Sequence, residues 1–124
     1  MAANKAIRFG PVAMVTGSTP NLVNPTITSL AGVVGFVMTQ PYVILKHIRL
    51  VNKTAGAITV SLYVGATAAG AAGTEFLGTA LSIAANSFID WYGLLRLDAA
   101  DFLTGSASAN TSITFEAEGE IGVS

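Results

Sequence analysis

The chain contains no cysteine and only one histidine, His47. The first absence excludes disulfide staples and thiolate metal centres. The second makes any histidine-based metal site depend on nearby carboxylates, and the sequence places none at ligand spacing. Charge is also scarce: Asp, Glu, Lys and Arg together make up 10% of 124 residues, while apolar residues reach 52%. An ordinary soluble domain carries about 25% charged residues. Long hydrophobic runs are missing too. "SLAGVVGFVMTQPYVIL" is interrupted by Thr39, Gln40 and Pro41, and its unbroken apolar part is far short of the ~20 residues of a spanning helix. "MAANKAIRFGPVAMV" has no continuous apolar segment of the kind a secretory signal carries, and its start methionine argues against a processed, secreted product. A chain this apolar, with neither span nor signal, is expected to bury surface in an assembly.

What charge there is lies segregated. Lys5, Arg8, Lys46, Arg49 and Lys53 precede residue 75 with no acid among them; seven acids then follow, from Glu75 to Glu120, against the single Arg96. Five cations spread so widely do not make the dense Lys/Arg patch that phosphate binding requires, so no nucleic-acid partner is expected. Basic and acidic strands are expected to pair across a sheet or across a subunit contact.

The length suits one domain, with roughly 6,200 Å² of folded surface expected from the mass. Proline and glycine punctuate residues 1–41 and exclude a long helix there. That segment reads as an N-terminal arm with entry strands, with short extended pieces at "VAMVT", "TITSL" and "VVGFVMT". Residues 42–124 read as a β-sandwich. In "YVILKHIRLV", simple alternation puts Tyr42, Ile44, Ile48 and Leu50 on one face, with Lys46 among them. Val43, Leu45, His47, Arg49 and Val51 fall on the other. "NKTAG" is a turn, and "AITVSLYVG" alternates cleanly, so the two strands are expected to form a hairpin. "TEFLGTALSI", "FIDWYGLLRL" and "TSITFEAEGEIGV" supply further strands, and "DAADFLTGSASAN" a short strand or turn within a loop. Seven or eight strands with no convincing helix predict an all-β, antiparallel sandwich or barrel.

The chemistry-bearing residues are few. No nucleophile elbow, oxyanion loop or phosphate loop is present. Asp98 and Asp101 in "RLDAADFL" flank a turn, where aspartates hydrogen-bond nearby backbone N–H groups; too few further oxygen ligands accompany them for calcium. Glu116, Glu118 and Glu120 form a like-charge stripe on one face of the last strand, as a solvated face or a protected edge does. Trp91-Tyr92 is the one aromatic pair, suited to a core or interface anchor. No catalytic residue, metal or cofactor is expected.

Three stretches, "HIRLVNKTAGAITVSLYVG", "LSIAANSFIDWYGLLRLDAADFLTGSASAN" and "ITFEAEGEI", carry a resemblance covering about Tyr42 to Glu120. The chain resembles the small jelly-roll-like β-sandwich structural proteins of tailed-phage virions, especially capsid decoration or cement proteins. The resemblance implies a non-enzymatic protein, made in the host cytoplasm, that binds and stabilises an assembled capsid on the outer virion surface. It implies a homotrimer seated over junctions between capsomers, its arms clamping the shell, with the major capsid protein as partner. The candidate contact residues are Lys5, Arg8 and Phe9 of the arm, His47 and Arg49, Trp91 and Tyr92, and Glu116, Glu118 and Glu120. The alternative is a tail, head–tail junction or fibre component whose sandwich binds a receptor or glycan.

Overall fold

Alternation of apolar and polar side chains sets the architecture. The structure, a computed structural model, describes residues 5–16, 19–23, 41–65, 74–98 and 101–123. These form eight strands: β1 (Lys5–Ala13), β2 (Thr19–Val23), β3 (Pro41–Asn52), β4 (Ile58–Gly65), β5 (Glu75–Ile83), β6 (Ser87–Leu97), β7 (Phe102–Ala107) and β8 (Ile113–Val123). In β8 the pattern is simplest. Ile113, Phe115, Ala117 and Ile121 are buried, and Thr114, Glu116, Glu118 and Glu120 alternate with them on the outer face. Fully burying a large apolar side chain contributes about 1.5–3 kcal/mol, and both sheets supply such residues to one core.

The strands pair as a folded-over ribbon. β1 pairs with β8, β2 with β7, β3 with β6 and β4 with β5, all antiparallel. Two further pairings, β3 with β8 and β4 with β7, close the ribbon into sheets of order β1-β8-β3-β6 and β2-β7-β4-β5. This nested winding of eight strands into two four-stranded sheets is that of a jelly roll, and the all-β sandwich expected from the sequence is what forms. The accessible surface is 6130 Å², in line with the area expected for a folded chain of this mass. Among the described residues there is no helix, hence none long and apolar enough to cross a membrane.

Three expectations change. Residues 5–13 and 19–23 are strands of the two sheets rather than a free arm, with Lys5 in register with Ile121. The pieces "TITSL" and "VVGFVMT", and residues 1–4 of the arm, lie outside the described residues. Strands β3 and β4 do not form a hairpin: β3 bonds to β6 and β8, and β4 to β5 and β7. Each buries one face against the same core, but from opposite sheets, so the turn between them is a corner. Finally, "FLTGSA" is a full strand, β7, lying between β2 and β4.

Asn52 holds that corner. It is wholly buried, and its amide donates to the carbonyls of Gly56, Ile83 and Ala84 at 2.9, 3.0 and 3.2 Å. Its side-chain oxygen accepts from the Thr54 backbone N–H and hydroxyl at 2.9 and 2.7 Å. The end of β3, the corner and the β5–β6 turn are thereby tied to one side chain. Asn52→Ala leaves the buried Ile83 carbonyl without that donor and loosens the corner at Thr54 and Ala84, and removing a partner from a buried group costs about 1–3 kcal/mol. We expect a loss of at least about 2 kcal/mol in urea unfolding; a change within error would mean the corner is held elsewhere.

Candidate functional site

The outer face of the β8-β3-β6 portion gathers most of the candidate residues, and a bulge in β3 determines how. Register breaks between Leu45 and His47 on both sides of β3. Val43 and Leu45 point into the core before the break, and Ile48 and Leu50 after it. The extra residue carries Lys46 to the outer face beside His47, which corrects the expectation that Lys46 shares the apolar face with Ile48 and Leu50. The partner of Leu45 on β8, next to the extra residue, is Gly119, which is buried. A Cβ there would run into the Ile44 carbonyl oxygen and come within 2.9 Å of the Leu45 Cα. Glycine is what lets β8 approach the bulged strand this closely.

On the face so arranged, Arg49 lies opposite Asp90 of β6 and Glu116 of β8, and His47 opposite Tyr92 and Glu118. Arg49 grips Asp90 with two bonds, Nε to Oδ1 at 2.7 Å and Nη2 to Oδ2 at 3.0 Å. His47 Nε2 meets the same Oδ1 at 2.8 Å, and its Nδ1 faces Glu118 Oε1 at 3.3 Å. An imidazole protonated on both nitrogens donates to both carboxylates. Lys46 Nζ bonds Glu120 Oε2 at 2.6 Å. Glu118 and Glu120 of the last strand therefore meet His47 and Lys46 of β3 within one chain. Two aromatic contacts extend the cluster: Tyr92 stacks on His47 with ring centroids 4.6 Å apart, and the Arg49 guanidinium lies 4.5 Å from the Phe88 ring centre.

The electrostatics follow from this geometry. The hydrogen bonds from Arg49, and then those from His47, hold the Asp90 carboxyl down at about 2, below its ordinary 3.8, against the opposing effect of desolvation. The same bond to Asp90, the largest cause, raises the Arg49 guanidinium above its ordinary value. The Asp90 side chain is only 17% exposed, so the pair is screened less than a fully solvated one. Among the described residues no group of three His, Asp or Glu is arranged to hold a metal ion. His47, Asp90 and Glu118 are instead spent on one another, and the network fastens β6, β3 and β8 together across their outer face.

The remaining candidates lie elsewhere. Phe9 is buried in the core rather than offered for contact, because β1 is a sheet strand whose inner face includes it. Arg8 is exposed on β1, opposite Glu118 in the register. Trp91 faces inward, half-buried, with its ring edge-on to Phe76 of β5 at 5.1 Å. Asp98 and Asp101 make the expected turn: the Asp98 N–H donates to Asp101 Oδ2 at 2.9 Å. Asp90 and Phe88 are additions. The signal for them was in "FIDWY", where Phe88, Asp90 and Tyr92 alternate on one face. Comparison with protein families, with characterised proteins and with solved structures finds no match.

Two outcomes test this reading. Asp90 stabilises the fold through a lowered folded-state value, so its contribution is complete above about pH 4 and lost as pH falls toward 2. The urea midpoints of the native protein and of Asp90→Asn should differ at pH 7 and converge across that window. A difference independent of pH would remove the ion-pair explanation. Gly119→Ala should cost about 1–3 kcal/mol by forcing the β3 backbone away, measured by the same unfolding.

Proposed function

We propose that the chain is a non-enzymatic structural protein of a tailed-phage virion that binds and stabilises an assembled shell from its outer surface. One observation supports this reading above others. Lys46, His47, Arg49, Asp90, Glu118 and Glu120 on the outer face are closed upon each other, while the large apolar side chains left exposed beside them lie together on one strand, β6. Side chains spent on mutual ion pairs fix a surface's shape; exposed apolar groups on that fixed surface are what a binding partner covers. The low charge content and the jelly-roll winding agree with such a role, as does the resemblance carried by the β3, β6 and β8 stretches. The partner in this reading is the major capsid protein. The protein acts as a homo-oligomer, for which the resemblance implies three copies. Arg8, Glu116 and Tyr92 are its outward contact candidates.

A second reading is favoured by Phe88 and Tyr92. Two exposed aromatic rings flanking Asp90, with Arg49 and His47 against them, form a shelf suited to stacking on a sugar ring. That would suit a tail or fibre component.

Co-sedimentation with assembled shells of the phage that encodes the chain separates the two. We expect saturation at a fixed ratio to the capsid protein and disruption of the shell at a temperature raised by several degrees, in the manner of any ligand that binds only the assembled state. Absence of shell binding, together with specific retention on a glycan array, would instead favour the second reading.

A further inference from the structure

Glu118 stands between two cations and takes only one of them. It lies directly opposite Arg8 of β1 on one side and His47 of β3 on the other, so both share its outer face and lie within cross-strand reach. Its Oε1 faces His47 Nδ1 at 3.3 Å. Arg8 is exposed and, among the described residues, holds no carboxylate. Glu118 is also the acid with room to move: its side chain is 61% exposed, against 17% for Asp90.

His47 turns one nitrogen to each of two carboxylates, and both nitrogens donate only when the ring is protonated. A neutral ring keeps a single N–H and presents a bare nitrogen to one of the two. Asp90 cannot yield, because Arg49 holds both its oxygens, at 2.7 and 3.0 Å. It also lies nearer the ring, at 2.8 Å against 3.3 Å. The proton therefore stays on Nε2, and the Nδ1 lone pair repels the Glu118 oxygen. The other groups around the ring give that oxygen no second place. Tyr92 of β6 is stacked on the imidazole, Arg49 is bound to Asp90, and Lys46 is bound to Glu120. Glu116, two residues along the same face of β8, carries the same charge as Glu118.

We propose that Glu118 is a two-position arm set by the charge of His47: it bonds His47 when the ring is protonated and turns to Arg8 when the ring is neutral. Acid ties β8 to β3 and leaves the Arg8 guanidinium free on the outer face. Loss of the proton ties β8 to β1 and covers that charge. Histidine is the side chain whose charge ordinarily changes between about pH 5 and 8, where carboxylates are ordinarily ionised. The arm goes beyond the shell-binding reading and does not rest on it.

The native chain tests this by NMR between about pH 5.5 and 8. His47 is the only histidine, so the imidazole nitrogens are read without ambiguity. The neutral ring is expected as the Nε2–H tautomer; an Nδ1–H ring overturns the proposal. The Arg8 Nε–H and Glu118 carboxyl signals are expected to move together with the titration of His47. An Arg8 signal that ignores it overturns the proposal as well. Glu118→Gln is expected to abolish the Arg8 response; a response that persists comes through space from the imidazole and not through the arm, and counts against it. Double-mutant cycles in urea, with circular dichroism showing each variant folded, give the energetic reading. Glu118→Gln and His47→Gln are expected to be coupled at about pH 5.5 only, Glu118→Gln and Arg8→Gln at about pH 8 only. Each coupling should reach about twofold to fivefold in the unfolding constant, the range of an exposed ion pair. Couplings that do not change between the two pH values sink the idea.

Discussion

The fit of Gly119 against the bulge in β3 is the constraint on which the outer face depends. β3 is paired on both sides, so a change of parity within it is felt by β8 and β6 together. Without the extra residue at Lys46, either the first or the second half of β3 would turn its apolar side chains to solvent, since a one-residue slip reverses every side chain. With it, Val43, Leu45, Ile48 and Leu50 all reach the core while Lys46, His47 and Arg49 stand on one face. The absence of a side chain at Gly119 is thus a precondition of the charge network, although no atom of Gly119 takes part in it.

That network does for the outer face what packing does for the inner one. Asp90 takes bonds from Arg49 and His47 of the neighbouring strand, Glu118 meets His47 from the other side, and Glu120 answers Lys46. Each contact is modest when exposed, but several sharing one carboxylate and one imidazole restrict each other's rotamers. The stacked Tyr92 and the guanidinium over Phe88 fasten the aromatic rings to the same frame. An outer face fixed in this way presents β6 as a rigid strip, which lowers the ordering cost of covering it.

Much of this was legible in the sequence, and the failures have physical causes. The alternation of "ITFEAEGEI" placed the acidic stripe outside and Phe115 and Ile121 inside, because β8 keeps its parity throughout. The same rule applied to "YVILKHIRLV" failed at Lys46, since a bulge leaves no mark in a run where either parity looks acceptable. It was Gly119, seventy residues away, that accommodated it. The expected hairpin of β3 and β4 failed because a five-residue turn is equally able to join strands of different sheets; the deciding group was Asn52, whose bonds reach Ile83 and Ala84. Asp90 went unremarked because its partners are remote in sequence. Phe9 reads as part of an arm because the glycine and proline beside it suggest irregularity, whereas they mark a break within a sheet strand.

The nested pairing has a consequence for how the chain is made. Both neighbours of β3 come later in the sequence than β3 itself, and the partner of β1 is the last strand of all. As the polypeptide emerges from the ribosome, β3 can take β6 as its first partner, but β1 and the other side of β3 must wait until residues 113–123 have been synthesised. Only the central β4–β5 pair closes locally. Contacts of this separation form slowly and leave strand edges exposed in the interval, so the hazard of premature association falls before the eleven residues of β8 are in place rather than after.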